Sequence, residues 1–275
     1  MKGFRALLLL FVLSNATLVF SQKDLMQQRY GQFPQNTLDL YLPKAVTPKT
    51  PVIIMLHGGA WMMGGNEYTA KTSRDLRDRG FVVANVDYRY VNDSVHCNDL
   101  LNDIDNAVTF MKKASATHHF KNSGYHMSGI SAGAHLALLY GYKHKENIKS
   151  IAVLCAPTRL DDHTEIEFVK SLGLLHNIEL LAGAKYIPGK ELDKKFTAIS
   201  PYANIEPIPT LLFHGDQDQL VPYRVEPFML QKLQAQKVAS KLITMKGKNH
   251  DCGMNQPDSE KVVLDGIMDW VREFD

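Results

Sequence analysis

Ser131 sits in Gly129-Ile130-Ser131-Ala132-Gly133, a Gly-x-Ser-x-Gly pattern. An apolar run opening at Tyr125 precedes it, and the small apolar segment Ala134-His135-Leu136-Ala137-Leu138-Leu139 follows. This succession predicts a strand, a sharp turn and a helix, with the serine at the tip of the turn and the helix N-terminus beneath its hydroxyl. Glycines at 129 and 133 suit a turn that brings strand and helix too close for a Cβ. A serine hydroxyl is a weak nucleophile at neutral pH. It needs a base, and the base needs an acid to hold its tautomer and stabilise the imidazolium that forms. His250, in the polar, glycine-bounded loop Lys246-Gly247-Lys248-Asn249-His250-Asp251-Cys252-Gly253, is the base candidate. His118, His119, His144, His163 and His176 lack a strand-end setting and read as solvated. The acid candidate is Asp218 in His214-Gly215-Asp216-Gln217-Asp218-Gln219-Leu220-Val221-Pro222. Asp216 directly follows the turn glycine and reads as a brace for backbone N–H groups, while Asp251 is adjacent to the base and so poorly placed to face it. Backbone donors for a tetrahedral oxyanion would come from Gly59 and Ala60 in His57-Gly58-Gly59-Ala60-Trp61, with Ala132 just after the serine. The chemistry these residues describe is acyl transfer through an acyl-serine.

These groups must be carried by strand ends. Leu38-Asp39-Leu40-Tyr41-Leu42 alternates as a half-buried edge strand does, and 51–57 is continuously apolar, the pattern of a central parallel strand covered on both faces. A helix is expected over 69–79, stopping at Gly80, then a buried strand over 81–88. Leu101, Ile104, Val108 and Met111 recur at helical spacing with Asp99, Asp103 and Asp105 between them, an amphipathic crossover helix. Strands are expected at 151–155, 209–215 and 239–245, and a closing helix at about 259–274. Alternation of strand and helix implies a mostly parallel sheet flanked by helices on both faces, whose ligands bind beyond the carboxyl ends of the strands. His57, Ser131, Asp218 and the His250 loop all follow expected strands. Residues 158–200 read as a small cap-like helical excursion over the mouth of the site, within a single domain over 22–275. There is no internal repeat.

Composition excludes several classes. With 31 basic and 29 acidic side chains the formal net charge is +2, too slight to imply nucleic acid or an anionic membrane as partner. Residues 1–21, with Lys2 and Arg5 ahead of an apolar run and Val19-Phe20-Ser21 at a cleavage position, read as a cleaved signal for secretion or periplasmic export. Ser14, Asn15 and Thr17 interrupt the run before it could span a membrane, so no stable anchor is expected. Export would place Cys97, Cys155 and Cys252 in an oxidising compartment, where three cysteines allow at most one internal disulfide. The sequence does not choose the pair. Metal-ligand spacing, nucleotide loops and the Rossmann glycine fingerprint do not occur, so neither metal nor cofactor is expected.

The chain resembles α/β-hydrolases of the esterase/lipase group that includes hormone-sensitive-lipase-like and acetyl-esterase-like enzymes. The resemblance runs from about Leu38 to the C-terminus. It rests on His57-Gly58-Gly59-Ala60-Trp61, on Val86-Asp87-Tyr88-Arg89 followed by Asp103, on Gly129-Ile130-Ser131-Ala132-Gly133, on His214-Gly215-Asp216-Gln217-Asp218 with Val221-Pro222, and on His250. It implies the α/β-hydrolase fold, Ser131 as nucleophile, Asp218 as acid, His250 as base, and oxyanion donors at Gly59, Ala60 and Ala132. The chain departs from that group in carrying Ala60 where a glycine is usual and in lacking prolines after Tyr88-Arg89. Trp61 and Tyr68 are candidates for the wall of the acyl pocket, packing beneath the loop being the other reading. Together with export, the resemblance implies hydrolysis of small-molecule or carbohydrate esters with short acyl groups, acetyl or feruloyl groups of polysaccharides among them. Two other functions are compatible with the fold: amide or peptide hydrolysis of the formamidase or prolyl-peptidase kind, and non-catalytic binding, against which the complete triad argues.

Overall fold

The computed structural model describes residues 22–275; the expected export signal, residues 1–21, lies outside the described residues. Eight strands form one sheet: β1 (Lys23–Arg29), β2 (Thr37–Leu42), β3 (Val52–Leu56), β4 (Val82–Val86), β5 (Tyr125–Ile130), β6 (Ile148–Leu154), β7 (Thr210–Gly215) and β8 (Ser240–Met245). Their spatial order is β1-β2-β4-β3-β5-β6-β7-β8. β3 to β8 run parallel, and β2 pairs antiparallel with both β1 and β4. Helices α1 (Ala70–Asp78), α2 (Cys97–His118), α3 (Ala132–Lys143), α7 (Val225–Ala235) and α8 (Pro257–Phe274) cover the sheet, and α4 (His163–Ser171), α5 (Leu175–Ala182) and α6 (Lys194–Ala198) occupy the segment between β6 and β7.

The apolar run of β3 is buried throughout because both faces of the sheet are covered. Alternation sends Val52, Ile54 and Leu56 into the core shared with Ile104 and Val108 of α2 and Leu136 of α3, and Ile53 and Met55 into the core shared with Leu76 of α1 and Val263 and Ile267 of α8. From β3 the chain passes to β4 on one side and then crosses to β5 on the other. The order therefore reverses between β3 and β5, and a crevice opens at their carboxyl ends. The His57 loop leaves one of these strands and Ser131 leaves the other. Among the described residues no helix is long and apolar enough to cross a membrane.

Two expectations need correction. Leu38–Leu42 is not the edge of the sheet: β1, of sequence Lys-Asp-Leu-Met-Gln-Gln-Arg, pairs outside it. A strand exposed along most of its length shows no apolar alternation. β1 is held by its ladder, by the Gln27 N–H donated to Asp39 Oδ1 at 2.8 Å across a bulge, and by the Arg77–Asp24 ion pair. Asp103, expected between the apolar positions of α2, is 1% exposed and points inward. It accepts from the Arg89 backbone N–H at 3.0 Å and from Arg89 Nε at 2.8 Å, joining the end of β4 to α2.

Candidate active site

The sharp turn after β5 forces Ser131 into φ 56°, ψ −121°, a region that non-glycine residues seldom occupy and that persists only where the surroundings hold it. Two backbone bonds do so: the Ser131 N–H donates to Leu154 O at 2.9 Å, and Ser131 O accepts from His135 N–H at 3.0 Å, starting α3. Gly133 is required by close approach, since a Cβ there would lie 2.3 Å from the carbonyl oxygens of Leu56 and His57. Strand β3 thus passes directly against the start of α3. The glycine loop after β3 reaches the same place: a Cβ built on Gly58 would lie 3.3 Å from Ser131 Cβ.

That loop is held from several sides. His57 is buried, stacks on Tyr88 at 4.3 Å, and gives its carbonyl to the Tyr88 hydroxyl at 2.6 Å; burial lowers its pKa. Tyr90 donates its hydroxyl to Gly64 O. Ala60 and Trp61 both take left-handed backbone, φ 50° and 60°. From α5, Asn177 Nδ2 donates to Ala60 O at 3.2 Å. The N–H groups of Gly59, Ala60 and Ala132 have no acceptor among the described residues, which leaves them free to donate to an incoming oxygen.

Trp61 is buried beneath the loop. Its ring is 5% exposed, and Nε1 donates to His135 Nδ1 at 3.2 Å while His135 Nε2 donates to Ile199 O at 2.7 Å. Burial lowers the His135 pKa to about 4, so the ring is neutral and Nδ1 is free to accept. The indole pins the loop to α3, since a ring of that size is stabilised more by the core than by solvent. Tyr68 is 62% exposed. It borders a cavity of about 80 Å³ that lies against Gly129 and Ile130, with Met254 on another wall.

At the far side of the crevice, β7 ends in Gly215 and the chain turns so that Asp218 faces His250. His250 Nδ1 lies 2.7 Å from Asp218 Oδ2, a bond between an imidazole 20% exposed and a fully buried carboxylate. The other oxygen, Oδ1, accepts the N–H groups of Leu220 at 2.8 Å and Val221 at 3.0 Å. Burial opposes ionisation of Asp218, but its bonds to His214 and His250 outweigh it and hold the carboxyl far below its ordinary range. Burial likewise opposes the His250 imidazolium, yet the bond to Asp218 and the adjacent Cys155 raise its pKa to about 9. Gly215 permits this approach: a Cβ on it would lie 2.3 Å from the carbonyl oxygens of Lys248 and Asn249. Asp216 accepts the Gly247 N–H at 2.7 Å and braces the loop, and Asp251 closes a local turn with the Gly253 N–H at 2.9 Å. The loops bearing Ser131 and His250 both reach the end of β6, where Leu154 bonds the serine backbone and Cys155 adjoins the imidazole. The Ser131 hydroxyl makes no hydrogen bond among the described residues, as is common for such groups before substrate binds.

Two supporting residues were not singled out from sequence. His214, fully buried, places Nε2 at 3.1 Å from the same Asp218 Oδ2 and at 2.9 Å from Val221 O, with Nδ1 at 3.1 Å from Glu226 Oε1. Burial opposes a charge on His214, but the two carboxylates facing it raise its pKa to about 11. A histidine inside an apolar strand four residues before the acid was a usable signal. Glu226, buried on α7, had none. Cys155, His214 and Asp218 also bring ligand atoms within 4.8 Å of one another, a grouping that no sequence spacing reveals; His214 and Asp218 are already committed to each other, and Asp218 to His250.

Residues 38–233 match the family described as BD-FAE. Among curated proteins, the chain is 26% identical over 247 residues to a probable isoprenylcysteine alpha-carbonyl methylesterase of Oryza sativa subsp. japonica, covering 84% of this chain and 59% of that protein. It is 30% identical over 120 residues to the kynurenine formamidase of Danio rerio, covering 42% and 38%. This chain thus spans about half to three-fifths of the length of the plant relatives it matches. Among solved structures, a truncated carbohydrate esterase from gut microbiota superposes with a TM-score of 0.75 at 17% identity, over 94% of this chain and 99% of that one. That likeness establishes the α/β-hydrolase fold.

Proposed function

This chain belongs to the BD-FAE family, and from that premise we propose that it is a serine carboxylic-ester hydrolase acting on short acyl esters. The observation that carries the reading is the 2.7 Å bond between His250 Nδ1 and buried Asp218, set opposite a serine in strained elbow geometry. In the proposed reaction Ser131 Oγ attacks the ester carbonyl as His250 Nε2 takes its proton, and Asp218 stabilises the imidazolium. The oxyanion that forms is met by the N–H groups of Gly59, Ala60 and Ala132. Collapse of the intermediate releases the alcohol with the proton from His250. Water, deprotonated by the same base, then cleaves the acyl-serine to a carboxylic acid.

Short acyl groups are proposed from the resemblance of the motifs to acetyl-esterase-like enzymes; Tyr68 and Ile130 border a cavity of about 80 Å³. A polysaccharide acetyl or feruloyl ester is the natural substrate class we propose, supported by the likeness to a carbohydrate esterase. The formamidase match makes formyl amides a second class to assay.

Initial rates on p-nitrophenyl acetate, butyrate and octanoate test the reading, with Ser131→Ala as control. Acetate is expected to react fastest. The alanine variant should be slower by at least a thousandfold, leaving only the contribution of binding and oxyanion donors. Ester turnover undiminished in Ser131→Ala would refute the assignment, as would well-folded protein inert toward both esters and formyl amides.

A further inference from the structure

Cys155 and Cys252 are 97 residues apart in the chain and both fully buried, yet their Sγ atoms lie 3.2 Å from each other. That is only about 1 Å longer than a disulfide bond. The backbone holds both in place. Cys155, at φ 50°, donates its N–H to Phe213 O on β7 at 2.8 Å; Cys252, at φ 54°, donates to Asn249 O at 3.0 Å. Cysteine seldom takes left-handed backbone, and here two such residues aim their thiols at one point. Cys97 opens α2 and has no sulfur partner among the described residues. The location has consequences for the site: Cys155 follows Leu154, whose carbonyl receives the Ser131 N–H, and Cys252 lies two residues beyond His250.

We propose that Cys155 and Cys252 are a modification site, a dithiol that closes to a disulfide and fastens the His250 loop to the end of β6. With hydrogen peroxide as oxidant, one sulfur attacks a peroxide oxygen, the O–O bond breaks, and a sulfenic acid and one water result. The second sulfur displaces the sulfenic oxygen, the S–S bond forms, and a second water leaves. Two thiols lose two electrons and the peroxide gains them. The thiolate is the attacking form, and burial holds Cys155 as the thiol; the adjacent imidazole of His250 can take its proton only once it is neutral, above its raised pKa of about 9. Closure is accordingly slow in acid and faster as pH rises.

The test uses the full chain, reduced with dithiothreitol or treated with hydrogen peroxide, then unfolded, alkylated and mapped by peptide mass spectrometry. The expected product has one alkylated cysteine, Cys97, in place of three, and a peptide cross-linking Cys155 to Cys252. Its unfolding midpoint should rise by a few degrees, reversibly with dithiothreitol, because the cross-link restricts the unfolded chain. Cys97→Ser should behave like the parent, and the midpoint of Cys252→Ala should not respond to peroxide. Three alkylated cysteines after peroxide, sulfinic acid without a cross-link, or a link through Cys97 would each overturn the proposal. Should Cys252→Ala fail to fold, the mass map of Cys97→Ser decides alone. None of these readouts depends on ester hydrolysis, so they stand or fall separately from the proposed activity.

Discussion

Asp218 Oδ2 serves two imidazoles at once, His250 at 2.7 Å and His214 at 3.1 Å, and this sharing governs how the proposed base titrates. A base must be neutral to take the serine proton, so activity should rise with pH as His250 loses its proton. Its raised pKa, to about 9, puts that rise above the ordinary histidine range. The cation on His214 draws on the same oxygen and repels a second cation, restraining the upward shift. Glu226→Gln removes a carboxylate that keeps His214 charged while preserving the side chain's shape. The variant should therefore show its kcat/KM limb displaced to higher pH, with a rate at neutral pH lowered about tenfold. pH–rate profiles of the two proteins decide it: a lowered rate with an unmoved limb would mean that Glu226 supports packing alone.

The loops at the strand ends approach one another backbone to backbone, so small changes in them should act on chemistry before they act on folding. Gly215 joins β7 to the acid loop with Lys248 O and Asn249 O at 2.3 Å from the place of a Cβ. Gly215→Ala must push the His250 loop away from Asp218. Displacing a base by about 1 Å costs on the order of a hundredfold in rate, and we expect at least that loss on p-nitrophenyl acetate. Because the loop lies at the rim of the sheet, thermal unfolding should remain cooperative, with destabilisation of about 1–3 kcal/mol. Near-normal activity in this variant would show that the loop yields without disturbing the His250–Asp218 bond.

Across the whole molecule, the chemistry collects at the carboxyl edge of the sheet while the opposite edge is fastened by ion pairs. Asp275 Oδ1 meets Lys121 Nζ at 2.6 Å and His126 Nε2 at 3.1 Å, and its carbonyl accepts from Lys149 Nζ at 2.8 Å, tying the end of α8 to the starts of β5 and β6. Burial opposes the charge, but the bonds to His126 and Lys121 lower the Asp275 pKa to about 2. A carboxyl depressed in the folded state contributes stability above its unfolded pKa, and the contribution fades as pH falls through the folded value. The window here runs from about 4 down to about 2. Asp275→Asn should thus lower stability by about 1 kcal/mol at neutral pH, allowing for solvent screening, and the deficit should vanish at the acid end. Melting curves of both proteins across that range check it; a deficit independent of pH would assign the effect to lost packing.

The features legible in the amino-acid order are local or follow from chain order. Gly129 and Gly133 around Ser131 mark the elbow because the turn tolerates no Cβ, and the fully apolar β3 is legible because burial on both faces leaves no polar position. Alternation of strand and helix carries the sheet, and with it the convergence of the loops bearing Gly59, Ser131, Asp218 and His250. Tertiary structure decided whatever depends on which distant group faces a side chain. β1 pairs through its backbone and so shows no apolar period. Asp103 turns inward because Arg89 waits there, and Trp61 sinks onto His135. Glu226 finds His214 only once α7 is laid against β7, and Cys155 meets Cys252 across 97 residues. Period and spacing report a residue's own strand or helix; they carry no information about the opposing surface, which exists only after the layers have packed.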